Sequence, residues 1–187
     1  GAPMHFLHLS TAGSVELVRR AKADGLPVTA EVTPHHLSLT DELLRGFDPV
    51  YKVNPPLRTM DDIEALKAGI ADGTIDAVAT DHAPHAREKK MLELDRAPFG
   101  ILGLETAIGL SVTRLVVPGH LGWPRLVEAM STLPARILGL DLELAQCRHA
   151  PDRAPRAMAR QVRIGQLLQA EGVDDRQLVR SPEMGGP

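Results

Sequence analysis

MHFLHLSTAGSVELVRRAKADGLPVTAEVTPHH, residues 4–36, decides the fold. Met4 to Leu9 is a short apolar run closed by Ser10-Thr11, the pattern of a buried strand that ends in a polar turn. From Ala12 to Asp24, Val15, Leu17, Val18 and Ala21 form an apolar stripe while Arg19, Arg20 and Lys22 face away. Gly25 then stands where a helix C-cap belongs. Pro27 to Val32 is β-branched and strand-like, and it runs into Thr33-Pro34-His35-His36. Strand, helix and strand in this order form the β-α-β unit from which parallel sheets are built.

The pattern continues outward. Thr40-Asp41-Glu42 predicts a capped short helix, and Phe47 to Val53 an irregular strand. Asn54-Pro55-Pro56-Leu57-Arg58 must be loop, because successive prolines remove donors and push the preceding residues away from helix. Thr59-x-x-Asp62 reads as a capping box before Ile63, Leu66 and Ile70, with Gly73 as the stop. Ile75 to Thr80 predicts an apolar strand ending at Asp81-His82-Ala83-Pro84-His85. Helices are expected over Gly103 to Val116 and Trp123 to Met130, with Ser131-Thr132-Leu133-Pro134 as a turn. Residues 141–187 differ: seven arginines, seven acids, no lysine and no aromatic, read as an atypical arginine-rich tail, irregular, helical or disordered, and not a second domain. No internal repeat is visible.

A composition of 43% hydrophobic, 24% charged and 3% aromatic residues over 187 positions suits one domain with an aliphatic core. The net charge of −3 offers no basic footprint, which argues against nucleic acid as a partner. No apolar run nears the roughly 18 residues of a membrane span, and so no membrane association is expected. The single cysteine, Cys147, allows no internal disulfide and fits a reducing, cytoplasmic setting. Gly1-Ala2-Pro3 is neither a signal peptide nor an ordinary start, so the chain is expected to be truncated at its front.

Chemistry concentrates at strand ends. Six of the eight histidines fall into His5/His8, His35/His36 and His82/His85, each pair at the C-terminal end of a predicted strand. That edge is where α/β sheets and barrels build sites. His8 with Asp81 is a natural imidazole and carboxylate set for zinc, the aspartate also able to take a proton from bound water. Two donors fall short of the three that catalytic zinc ordinarily needs, and the chain holds no His-x-His or His-Glu-x-x-His. Plainer readings stand beside these. His5 reads as a packing or surface residue. His35 and His36 can end a strand by bonding backbone carbonyls. Asn54 can be a turn residue and Asp81 a cap. His120 and His149 read as solvated, and Cys147 as inert.

Five runs together resemble dihydroorotase of the amidohydrolase superfamily, in the C-terminal half of its long bacterial form: His5-x-x-His8-x-Ser10-Thr11, Glu31-Val32-Thr33-Pro34-His35-His36-Leu37, Lys52-Val53-Asn54-Pro55-Pro56-Leu57-Arg58, Thr80-Asp81-His82-Ala83-Pro84-His85 and Phe99-Gly100-Ile101-Leu102-Gly103-Leu104-Glu105-Thr106. They stand in the family's order and cover about residues 1–140. The resemblance implies a metal-dependent (β/α)8 TIM-type barrel, present here as an incomplete half, that interconverts dihydroorotate and N-carbamoyl-aspartate in pyrimidine synthesis. It implies that His8 and Asp81 are zinc ligands and that Asp81 is also the general acid/base. By the same resemblance Asn54, His85 and the Phe99-Gly100 backbone hold substrate, and His35 and His36 are structural or support other ligands. Hydantoinase and allantoinase share the scaffold. Asn54 in Val-Asn-Pro-Pro and His85 in Asp-His-Ala-Pro-His argue against them.

The departures also carry expectations. The family's His-x-His pair with its arginine, its bridging carboxylate and a further histidine have no counterpart here. A closed barrel takes about 250 residues, and the three strands predicted here give an open sheet whose edges invite association. The isolated chain is therefore expected to be inactive. It would be either a remnant or a partner of a complementary N-terminal half, with association between identical copies as the other possible assembly. A shifted reading frame would explain the foreign tail.

Overall fold

Strands β1 (Met4–Phe6), β2 (Val28–Val32) and β3 (Ala77–Val78) lie side by side in that order, all parallel. Met4 is in register with Val28, and Glu31 with Ala77. The structure, a computed structural model, describes residues 1–140; the expectations for the arginine-rich tail, Cys147 and His149 lie outside the described residues.

Each crossover carries a helix that the sequence specifies at both ends. In α1 (Ala12–Ala23), the Thr11 hydroxyl accepts from the Ser14 amide while the Ser14 side chain returns the favour to the Thr11 amide. The helix ends at Asp24, and Gly25 follows in the left-handed region at φ 72°, a conformation glycine adopts without a Cβ penalty. Val15 and Val18 are buried against the sheet, but Leu17 is exposed: the apolar stripe is narrower than the sequence suggests. Helix α2 (Met60–Ala71) opens on the expected Thr59/Asp62 capping box. A second oxygen of Asp62 accepts from the Ala12 amide at 2.8 Å, joining the starts of α1 and α2 across 50 residues.

The core lies where both helices cover the sheet. Val15, Ala30, Val32, Leu66, Ile70 and Ile75 meet there at 2% exposure or less, as continuous apolar strands of a parallel sheet require. Ladder bonds run beyond β3, from the Asp76 amide to Ala30 and from the Ala79 amide to Val32. The Asp76 carboxylate fastens this edge further, accepting from the Ala30 amide and from Lys22 Nζ at 2.8 Å each. A smaller cluster of Leu39, Tyr51, Val53, Leu57 and Ile101 supports the loops at the other end.

Several elements differ from the sequence reading. Phe47 to Val53 forms no strand: Asp48 accepts from the Val50 amide and starts a 3-10 turn at Pro49–Tyr51. The helix after Thr40 is likewise a 3-10 turn, Asp41–Leu44, without a side-chain cap. A one-turn helix, α3 (Arg87–Lys90), lies in the long loop after β3. Helix α4 (Ala107–Ser111) begins later than Gly103 and continues as a π-helical turn over Val112–Val116. Helix α5 (Trp123–Val127) passes through a π-helical turn, Glu128–Thr132, directly into α6 (Leu133–Ile137), so no turn interrupts 131–134. Pro134 is the second residue of α6, just after the π-helical turn, where the hydrogen-bond pattern of the run changes. The sheet is open: among the described residues β1 and β3 are edge strands, and Met4 and Leu7 on the β1 side are exposed.

Candidate functional site

Two side chains reach one another from the ends of different strands. His8, two residues past β1, and Asp81, three past β3, both have left-handed backbones, at φ 52° and 44°. His and Asp are among the residue types that tolerate that region best. His8 Nε2 lies 3.6 Å from Asp81 Oδ1, with each side chain about one quarter or less exposed.

Behind His8 stands a third group from the central strand. Glu31 is 9% exposed and projects from the β2 face opposite the buried Ala30 and Val32. Its Oε1 lies 2.8 Å from His8 Nδ1, in a bent rather than collinear approach, and its Oε2 lies 3.1 Å from His5 Nε2. His5 Nδ1 in turn meets the Thr29 hydroxyl at 2.7 Å. The His8 imidazole is held above its ordinary pKa by the contact with Glu31, which outweighs burial, with Asp81 adding to the effect. Burial pushes the Glu31 carboxyl up, but its bonds to His8 and His5 more than offset that and leave it lowered. His5, read from the sequence as a packing or surface residue rather than a ligand, is half-buried and bonds Glu31 and Thr29. In the sheet it is in register with Thr29, which puts it on the same face as Glu31, and the left-handed turn at His8 brings that ring back to the same carboxylate.

His35 and His36 follow β2 and are both buried. His36 binds the Pro55 carbonyl through Nε2 at 2.9 Å and the Thr33 hydroxyl through Nδ1 at 2.7 Å, so it fastens the end of β2 to the Asn54-Pro55 loop. His35 packs against it with ring centroids 4.5 Å apart and the ring planes tilted by 47°, and neither His35 nitrogen has a hydrogen-bond partner among the described residues. Burial lowers the pKa of His35 to about 2 and that of His36 to about 4, keeping both neutral.

The remaining predicted residues surround the loops after β3. His85 Nε2 donates to the Phe99 carbonyl at 2.7 Å. Gly100 donates to the Lys52 carbonyl at 3.0 Å, and Ala83 donates to Ile101. Gly100 has φ 140°, and a Cβ there would sit 2.6 Å from the Ala83 carbonyl oxygen and 2.9 Å from His85 Nε2, so no larger residue fits. Phe99 is exposed, and Lys52 Nζ lies 4.5 Å above its ring. Asn54, also exposed, follows Lys52 by two residues at a cis bond to Pro55. His82 serves the backbone: its Nδ1 accepts from the amides of Gly103 and Leu104. Lys90 ties the loop down by donating to the carbonyls of Pro49, Lys52 and Pro98. An open hollow beside Lys52, lined by Phe47, Glu93, Leu94 and Asp95, contains none of the predicted site residues. His120, expected to be solvated, is half-buried.

The donors of His8 and Asp81 suit a metal ion. An imidazole with a carboxylate behind its other nitrogen is a recurrent metal-binding arrangement. Among the described residues no group of three or more His, Cys, Asp or Glu side chains is placed to hold an ion. The pair therefore supplies part of a coordination shell, short of the three protein ligands usual in catalytic zinc.

No family model matches the chain. It is 58% identical over 137 residues to a dihydroorotase of Leifsonia xyli subsp. xyli, covering 73% of this chain and 31% of that protein. To a dihydroorotase of Pelotomaculum thermopropionicum it is 56% identical over 140 residues, 75% of this chain and 33% of that protein. Among solved structures it resembles the L-hydantoinase (dihydropyrimidinase) of Arthrobacter aurescens, with a TM-score of 0.68 and 33% identity over 74% of this chain and 32% of that one. It also resembles the D-hydantoinase of Thermus sp., with a TM-score of 0.69 and 30% identity over 76% of this chain and 32% of that one. These neighbours are TIM-barrel amidohydrolases, and the three-stranded layer is part of such a barrel. The chain spans about one third of the length of the relatives it matches.

Proposed function

Since three quarters of the chain is homologous to one third of a dihydroorotase, we propose that residues 1–140 form the part of a metal-dependent cyclic amide hydrolase that carries its general acid/base. The substrate in this reading is dihydroorotate, opened by water to N-carbamoyl-aspartate in the cytoplasm as a step of pyrimidine synthesis. The single observation that carries the reading is the approach of His8 Nε2 to Asp81 Oδ1 at 3.6 Å from the tips of β1 and β3.

Zinc, held by His8 Nε2 and Asp81 together with ligands from outside the described residues, would supply a water of lowered pKa and polarise the amide carbonyl. Asp81 takes the proton of the attacking water on its carboxylate and gives it to the ring nitrogen as the amide bond breaks. His85, oriented by the Phe99 carbonyl, and Asn54, on the loop fastened by His36, hold the ring and carboxylate of the substrate. The backbone of Phe99 and Gly100 closes the same wall, where the bare Gly100 lets the Ala83 carbonyl and the His85 ring pack against it.

The 187-residue chain alone is inactive in this reading, because two donors do not complete a catalytic shell. Its partner is a complementary half-barrel carrying the remaining ligands, or a second copy of the chain. Purified alone with zinc it turns over no dihydroorotate; combined with such a half it does, and Asp81→Asn lowers kcat by about 10²–10⁴-fold, the usual contribution of a positioned acid/base. Full activity of the Asp81→Asn complex overturns the assignment. Faster opening of hydantoin or allantoin than of dihydroorotate moves the substrate to the neighbouring class.

A further inference from the structure

We infer that Glu31 is a positioning residue that fixes the tautomer of His8, holding Nδ1–H against its carboxylate so that Nε2 presents its lone pair toward Asp81. The inference deepens the reading above and rests on His8 being a metal ligand.

A carboxylate on the central strand of a buried parallel sheet is out of place unless something compensates it. Ala30 and Val32, its neighbours along β2, are fully buried and apolar. Glu31 is compensated by two imidazoles: His8 Nδ1 at 2.8 Å on one oxygen, His5 Nε2 at 3.1 Å on the other. The chain of contacts runs Thr29, His5, Glu31, His8, Asp81, across the ends of three strands. In a neutral imidazole the nitrogen that donates decides what the other can do. An acceptor-only carboxylate at Nδ1 selects the Nδ1–H form, and leaves Nε2 basic and aimed at the space shared with Asp81. The other close contact of His8 is Asp81, on Nε2 at 3.6 Å, and without Glu31 that carboxylate would draw the proton to the wrong nitrogen. The 2.8 Å approach at Nδ1 is bent, short of a well-formed hydrogen bond, so the carboxylate acts on that nitrogen through its charge and proximity.

The test is long-range ¹H–¹⁵N correlation of the His8 imidazole in the full 187-residue chain, assigned with His8→Gln, well above the ordinary histidine pKa of about 6.5. In the parent the Nδ1–H tautomer predominates. Glu31→Leu reverses the majority to Nε2–H, while Glu31→Gln, which keeps an oxygen acceptor, retains Nδ1–H. A parent chain with mostly Nε2–H, or an unchanged Nδ1–H majority in Glu31→Leu with native β2 amide signals, overturns the inference. If Glu31→Leu does not fold, the parent and Glu31→Gln spectra decide, since loss of the Nδ1–H form in a folded Gln variant also overturns it. None of these readings depends on hydrolysis, so failure here is distinguishable from failure of the dihydroorotate assignment.

Discussion

Replacing Gly100 by alanine loads two separate costs onto one methyl group. The backbone at φ 140° is one that L residues rarely adopt, costing about 1–3 kcal/mol. The added Cβ would also stand 2.6 Å from the Ala83 carbonyl oxygen and 2.9 Å from both Ala83 Cβ and His85 Nε2. Of these three only the His85 ring can swing away, and doing so breaks its 2.7 Å bond to the Phe99 carbonyl. Overpacking of this kind costs about 1–3 kcal/mol, so the sum is about 2–6 kcal/mol against a typical domain stability of about 5–15. Urea unfolding of Gly100→Ala should show a clearly lowered midpoint, with faster amide exchange at Ala83 and Gly100, whose bonds to Ile101 and Lys52 close the same wall. Gly13→Ala supplies the opposite sign. Gly13 lies in α1 with open space where its Cβ would be, and gains up to about 1 kcal/mol of helix propensity. A Gly100→Ala chain within about 0.5 kcal/mol of the parent, with unchanged exchange at both amides, would refute the reasoning.

Asp62→Ala removes a helix cap and the acceptor of the Ala12 amide at once, and is expected to cost about 1–2 kcal/mol near neutral pH. Burial pushes the Asp62 carboxyl up, but bonds from the Ala12 amide, the Thr59 hydroxyl and the Thr59 amide outweigh it and hold it below the ordinary 3.8. The stabilisation is therefore complete above that ordinary value and fades as pH falls through the lower folded value. Thermal midpoints of parent and variant should converge in acid; a gap that widens there contradicts the assignment. Lys90→Met strips the Pro49, Lys52 and Pro98 carbonyls of a shared charged donor and should cost about 1–3 kcal/mol. Its signature is faster exchange at the Gly100 amide with unchanged protection at Ile63 and Ile75; equal loss at all three sites would mean global destabilisation.

The parts of the fold written in local chemistry were legible before any coordinates. Ser10-Thr11, Thr59 and Asp62, Gly25, and the β-branched run into Val32 act within a few residues of themselves, so their order alone gave the β-α-β frame; the Thr11/Ser14 capping box emerges only in the structure. The Phe47 to Val53 segment forms no strand because Tyr51 and Val53 bury into the second core cluster while Phe47 stays exposed and Asp48 and Pro49 impose a tight turn. Helix α6 hid behind Pro134, which reads as a stop but stands as the second residue of that helix. In the site, His8 and Asp81 were nameable from strand-end position and ligand type. The role of Glu31 was not, although a lone acid between Ala30 and Val32 was the available signal. The bond from His5 to Glu31 was not legible either, because strict alternation from His8 fails once the strand ends at Phe6 and the backbone turns left-handed.

That same handedness at positions 8 and 81 limits what evolution or an engineer can place there. A valine or threonine at either site would have to drag its branched Cβ into a disfavoured region, so inactivation by such a change would mix a bent main chain with a missing donor group. Asparagine and glycine sit comfortably in that geometry. They alone separate the loss of an imidazole or carboxylate from the displacement of the scaffold that carries it.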